Sequence, residues 1–301
     1  MTNSVFKIKS GIYRIALHAM LRLPDFFYSF LFTLVFPIYK ALHTKRAYGR
    51  VVKHLEAARE YMDKEAPERA EPLQKATARN VFKGIYWNAL DSYRGLARFK
   101  SVEKRIVFEN EDIIKGAVAE CAKIGMPIAG ISIHQGSFEL MHRILCRYGE
   151  HVQLITDSVG DTAFREVLRE LRSDPRLTEF HPEETGQLIR ELFRTKGILA
   201  MVYDQGRHTK GNAVTLFGRP STLYLRLPQK VNQMGAGIVI FRTWTENTPE
   251  HRIVIRFEKY YPPHYDKQGH DLVQDIAHET ERWIADHPEQ WSWNYHGNFT
   301  A

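Results

Sequence analysis

With 301 residues the chain can form one large α/β domain plus an appendage, and 44% hydrophobic with 26% charged residues excludes wholesale disorder. Its net charge of +7 is not that of a nucleic-acid binder: residues 1–54 hold nine Lys or Arg and one acid, Asp25, and the rest of the chain is close to neutral. Cys121 and Cys146 provide neither a disulfide framework nor a CxxC or Cys/His metal spacing, which accords with a reducing cytosol.

The basic N-terminus flanks apolar sequence. Ile12, Ile15, Ala16, Ala19, Met20 and Leu23 recur at helical spacing, with Arg14 and Arg22 elsewhere on the wheel. Residues 26–39, FFYSFLFTLVFPIY, carry no charge. As a helix rising about 1.5 Å per residue this run reaches about 21 Å, short of a hydrocarbon core of about 30 Å. Pro24 and Pro37 interrupt the pattern. Residues 11–42 therefore either span at a tilt or lie in the interface as a basic, aromatic-rich anchor, the second being favoured over the first. A buried soluble helix is the bland alternative. The apolar run begins late and no small-residue cleavage pattern follows, so it does not read as a secretory signal. Residues 1–45 are read as a membrane-anchoring segment whose cations suit an anionic lipid surface.

Residues 46–301 read as an α/β domain with 46–100 as its helical lead-in. Pro67 and Pro72 break that lead-in, and Arg79 to Arg98 is amphipathic. Beyond 102 the pattern alternates. Apolar runs predict strands at Ile128–His134, Val152–Thr156, Ile198–Tyr203, Gly237–Thr243 and Arg252–Phe257. Helices are predicted at Phe138–Tyr148, Thr162–Arg172, Glu184–Thr195, Thr222–Met234 and Leu272–Asp286. Such alternation implies a mostly parallel sheet flanked by helices on both faces.

The stretch from Gly130 to Glu139, GISIHQGSFE, carries the most chemistry. A buried strand ends at His134, Gly136 permits a tight turn, and a helix follows. Ligands of open α/β sheets gather at the carboxyl ends of strands, where His134 is placed. Glu139 in the first helical turn is expected to fold back and orient the imidazole, so that His134 takes a proton from an attacking hydroxyl. Gly130-Ile-Ser132-Ile-His134 is not a nucleophile elbow, since the second glycine is missing and Ser132 falls inside the strand. A metal held by His134, Glu139 and His142 is disfavoured because His142 lies further into the helix and no supporting acid is evident.

This strand–HQGSFE–helix unit resembles the His-x4-Asp/Glu block of the lysophospholipid acyltransferase superfamily, and more specifically the late (lauroyl or myristoyl) acyltransferases of lipid A biosynthesis. Ala200–Gly206, AMVYDQG, is similar to that family's strand ending in Asp-Gln or Asp-His. Leu216–Pro220, LFGRP, Pro288–Trp293, PEQWSW, and the segment around Arg172 match further blocks in the same order. The resemblance implies acyl transfer from an acyl carrier protein or coenzyme A thioester to a lipid hydroxyl or amine, without another cofactor or a metal. It also implies the cytoplasmic side of the inner membrane. It makes His134 the general base and Glu139 its partner, gives Arg172 to phosphate or acceptor binding, and lines the site with Asp204, Gln205, Gly206 and Arg219. The oxyanion would be met by backbone N–H groups near Gly136 or by Arg172. Trp291 and Trp293 are expected to pack rather than to touch substrate.

The chain departs from the family in places. Asn294–Phe299 stands where a basic pair is usual, Thr156-Asp157 replaces an Arg, and Ser221–Arg226 replaces a Thr-rich helix entry. The acceptor is accordingly open among a lipid A precursor, an amino-acid lipid, an aryl-polyene head group and a lysophospholipid. The alternatives in kind are a membrane-bound thioesterase or lipase-like hydrolase, which would use the same histidine on water, and an inactive lipid-binding homologue.

Overall fold

Two helices, α1 (Asn3–Met20) and α2 (Asp25–His43), open the chain in the computed structural model, which describes residues 3–156, 161–205, 210–246 and 251–293. Pro24 separates them, taking extended φ/ψ at the N-cap of α2. Pro37, expected to interrupt, sits inside α2 instead. An interior proline forfeits one hydrogen bond and crowds the preceding turn at a cost of about 3 kcal/mol, and aromatic packing offsets it here. Phe36 is buried, stacks on Phe32 at 5.1 Å between centroids and meets Tyr48 and Phe82.

The lead-in folds as α3 (Gly49–Glu65), α4 (Glu71–Lys75), α5 (Ala78–Ala97) and α6 (Phe99–Glu103). Pro67 follows the end of α3, whereas Pro72 starts α4 rather than breaking a helix, its missing N–H falling where no partner is needed. Thr77 caps α5 by accepting from the Asn80 N–H at 3.2 Å.

The alternating region follows in order: β1 (Ile106–Glu109), α7 (Glu111–Lys123), β2 (Ile128–Ser132), α8 (Met141–Leu145), β3 (Val152–Ile155), α9 (Thr162–Arg172), β4 (Leu177–Phe180), α10 (Thr185–Thr195) and β5 (Ile198–Val202). Then come β6 (Asn212–Leu216), β7 (Arg219–Leu223), α11 (Arg226–Gln233), β8 (Gly237–Thr245), β9 (Ile253–Tyr261) and α12 (Leu272–Asp286). Seven strands form one mixed sheet in the order β1-β9-β8-β2-β5-β3-β4, parallel throughout except for the β8–β9 pair. This is the mostly parallel, helix-flanked sheet expected. Sequence reading did not anticipate β1, β4 or the β6–β7 hairpin, and Thr222 belongs to β7 rather than to the helix after it.

Period-two alternation gives the sheet two apolar faces. Ala129, Ile131 and Ile133 join Leu199, Met201 and Ile240 in a core closed by α3, α5, α10 and α12. Ile128, Ile198, Ala200, Val239 and Phe241 face the other way, under α7 and α8. Gly130 lets α8 approach, since a β-carbon there would run into Leu145.

The N-terminal helices pack on this body by one side. In α1, Tyr13 meets Phe164 of α9 edge-on at 5.7 Å, Lys9 pairs with Asp161 at 3.4 Å and Arg14 with Glu170 at 2.6 Å. In α2, Tyr28 is buried against Tyr86 and Trp87 of α5. The other side is bare. Of the fourteen large hydrophobic side chains exposed among the described residues, twelve lie between Ile8 and Leu42, including Ile15 at 73%, Phe26 at 75% and Leu42 at 75%.

Candidate active site

The centre of the sheet aligns β2 and β5 in parallel, with Ser132 opposite Val202. Two residues further along each strand, His134 and Asp204 therefore leave the sheet side by side. His134 Nδ1 lies 2.7 Å from Asp204 Oδ1, and the His134 backbone N–H donates to both carboxylate oxygens at 3.0 and 3.1 Å. The indole N–H of Trp291 donates to Asp204 Oδ2 at 2.9 Å. The Asp204 side chain is fully buried, while that of His134 retains 19% exposure. A carboxylate in this position only accepts, so the contact favours the imidazole tautomer with its proton on Nδ1, which leaves Nε2 able to act as a base.

The turn after His134 is clamped from the C-terminal end of the domain. Gly136 takes φ +58°, and a β-carbon there would collide with the Thr243 carbonyl. Its N–H donates to the Gln290 carbonyl at 3.2 Å, and the Thr243 hydroxyl donates to the Gln135 carbonyl at 2.7 Å. The Ser292 hydroxyl donates to the His134 carbonyl at 3.3 Å. Phe138 packs edge-on against the imidazole at 4.5 Å. Trp293, stacked on Phe217, donates its indole N–H to the Pro288 carbonyl at 2.6 Å and fixes the segment that carries Trp291.

Glu139 takes a different partner from the one expected. Residues 138–140 form a 3₁₀ turn, and the carboxylate is gripped by Arg172 at the end of α9, with Nε and Nη2 donating at 3.0–3.1 Å. The reason is tertiary: strand register delivers Asp204 to Nδ1, and α9 delivers a guanidinium to Glu139. Burial alone would depress Arg172, but Glu139 and Glu179 outweigh it and hold the guanidinium above its ordinary value. Burial pushes the Glu179 carboxyl up, with Arg172 opposing. Near the turn expected to meet an oxyanion, the Gly136 N–H serves Gln290, and Arg172 Nε and Nη2 serve Glu139.

His142, one turn beyond Glu139, is buried, and burial together with Arg172 and Arg143 brings its pKa down to about 3. Gln205 follows Asp204 directly, and its amide nitrogen is buried without a hydrogen-bond partner among the described residues. Gly206 and residues 294–299 lie outside the described residues, as does Asp157. Arg219 sits on the β6–β7 hairpin, where Glu60 of α3 is an electrostatic neighbour. Thus the structure joins His134 to Asp204 and Arg172 to Glu139, and sets Arg219 on a separate element. Trp291, expected only to pack, also contributes a polar contact to Asp204. An indole N–H buried with an apolar ring needs an acceptor, and that need is the one hint the sequence offers.

The family model for the bacterial lipid A biosynthesis acyltransferase matches residues 91–296. The chain belongs to the bacterial lipid A biosynthesis acyltransferase family. It is accordingly an acyltransferase. No individually curated protein matches it. The part of the chain shared with lipid A acyltransferases begins within α5 and runs beyond Trp293, so it includes His134, Asp204, Glu139, Arg172 and Trp291.

Proposed function

We propose that the protein is a membrane-associated enzyme that moves a fatty acyl chain from an acyl carrier protein or coenzyme A thioester to a hydroxyl or amine of a lipid, a lipid A precursor or a related glycolipid. The observation that carries the chemistry is the 2.7 Å contact of His134 Nδ1 with a fully buried Asp204. His134 Nε2 removes the acceptor proton as its oxygen or nitrogen attacks the thioester carbonyl. The tetrahedral adduct then collapses, the C–S bond breaks, and the leaving thiolate takes the proton back from the imidazolium. Asp204 stabilises that imidazolium without itself being protonated. No acyl-enzyme forms. Glu139 and Arg172 balance one another in the turn next to the base and act as positioning residues.

We place the protein on the cytoplasmic side of the inner membrane; the bare side of α1 and α2 supports attachment to a membrane. Both helices remain packed on α9 and α5 by their other side, which favours lying in the interface over crossing the bilayer.

Mass spectrometry of total lipids and lipid A from cells making the wild type or His134→Ala tests this reading. A lipid heavier by one acyl chain, found only with the wild type, establishes transfer and names the acceptor. Free fatty acid released without any acylated lipid would assign hydrolysis instead. No change in either, with both proteins folded on membranes, would leave a lipid-binding homologue.

A further inference from the structure

A groove of about 500 Å³ runs between α1 and the C-terminal end of α5, lined by Arg14, His18, Arg22 and Arg98 with Ile15 and Ala19. Among the described residues no carboxylate lines it. Arg14 is committed to Glu170 through three contacts of 2.6–3.0 Å. Asp25, the only acid in residues 1–54, is taken by Arg94 at 2.6 Å. Arg22 and Arg98 are exposed, and among the described residues neither forms an ion pair. Two guanidinium groups held at one groove without counter-charge repel each other, and an anion between them relieves that repulsion.

The groove opens onto the bare apolar side. Ile15, one of its walls, is 73% exposed, and exposed Met20, Leu23 and Phe26 follow directly along the chain. A free phosphate would satisfy the cations and leave these side chains in water, whereas a phosphate carrying acyl chains satisfies both. The geometry points to a docking site for the phosphate headgroup of an anionic phospholipid, with Arg22 and Arg98 as its principal ligands and the acyl chains lying along α1 and α2. This rests on the reading that the α1–α2 side contacts a membrane.

Co-sedimentation of the full-length protein with vesicles of pure phosphatidylcholine, and of phosphatidylcholine containing phosphatidylglycerol, separates the two ideas. Binding to neutral vesicles reports the apolar contact, and its absence defeats the membrane reading. The gain from phosphatidylglycerol reports the groove. Arg22→Gln/Arg98→Gln is expected to lose most of that gain, roughly tenfold in partitioning, while neutral-vesicle binding and acyl transfer in detergent micelles persist. Lys123→Gln/Lys230→Gln, equal in charge change but on α7 and α11, is expected to keep it. An equal loss in both variants would make the effect one of net charge and overturn the site. So would an unchanged gain in the arginine variant. Displacement by millimolar inorganic phosphate, with no preference for phosphatidylglycerol, would reassign the groove to a soluble anion and equally overturn the proposal.

Discussion

At the His134 turn, charge is met inside the protein: Asp204 accepts from the imidazole, a backbone N–H and an indole, and Glu139 faces a largely buried guanidinium. Along α1 and α2 the arrangement is reversed. Apolar side chains stand in solvent, and Arg22 and Arg98 lack an acid among the described residues. The first region pairs its charged groups within the fold at low exposure, where an unmet polar group costs about 1–3 kcal/mol; Gln135 Oε1, Ser137 Oγ and Gln205 Nε2 are buried there without a partner among the described residues. The second is uncovered as folded, and the proposed membrane contact would release its free energy on association rather than on folding.

The sharpest way to break this comparison is to remove the charge from Asp204. Asp204→Asn keeps the shape but favours the wrong imidazole tautomer, and kcat is expected to fall by about 10⁴-fold, the scale of the corresponding change in serine proteases. Glu139→Gln is expected to cost far less in kcat and more in stability, about 3 kcal/mol, because Arg172 then loses its bidentate partner. Steady-state kinetics beside denaturant titration separates the two; equal kcat losses would return Glu139 to the role first expected of it.

That expectation shows where the sequence stopped being informative. His134 at a strand end was legible because a buried apolar run followed by Gly136 has few readings. Its partner was not, since an acid five residues away is visible in a sequence and the β2–β5 register is not. Asp204 entered only through resemblance, as a lining residue. The β6–β7 hairpin left a fainter trace: Phe217 and Gly218 both take positive φ, +48° and +67°, the signature of a tight two-residue loop. Phe is an unusual occupant of that turn, which hides the hairpin from a reading of the sequence. The central strands were legible because they are buried on both faces, whereas β1 and β4 are short and half-exposed edges.

A smaller effect is expected from pH. His142 binds a proton below about pH 6.5 when unfolded and only near pH 3 when folded, so unfolding takes up a proton between these values. Stability present above pH 6.5 is therefore lost as pH falls toward 3, and buried His287, brought down to about 4 by burial and by Arg242, acts in the same direction. His142→Asn should flatten the dependence of the denaturation midpoint over that window; an unchanged slope would mean that the imidazole is charged in the folded protein.

The smallest effect on the fold itself belongs to the bare side. Phe30→Ser/Ile38→Ser, at positions 63% and 60% exposed, is expected to shift stability by no more than about 0.5 kcal/mol per site. Binding to neutral vesicles should nonetheless fall severalfold. A large drop in melting temperature would show that these side chains belong to the core after all.

Trp291 has a consequence for synthesis. The indole that secures Asp204 lies beyond α12, and the Gly136 turn is tied to Gln290 beside it. A ribosome releases α1 and α2 well before this segment, while domains fold as units. The nascent chain thus has α1 and α2 long before the His134–Asp204 pair is secured. On the proposed function, a membrane contact made by these helices would precede the oriented base.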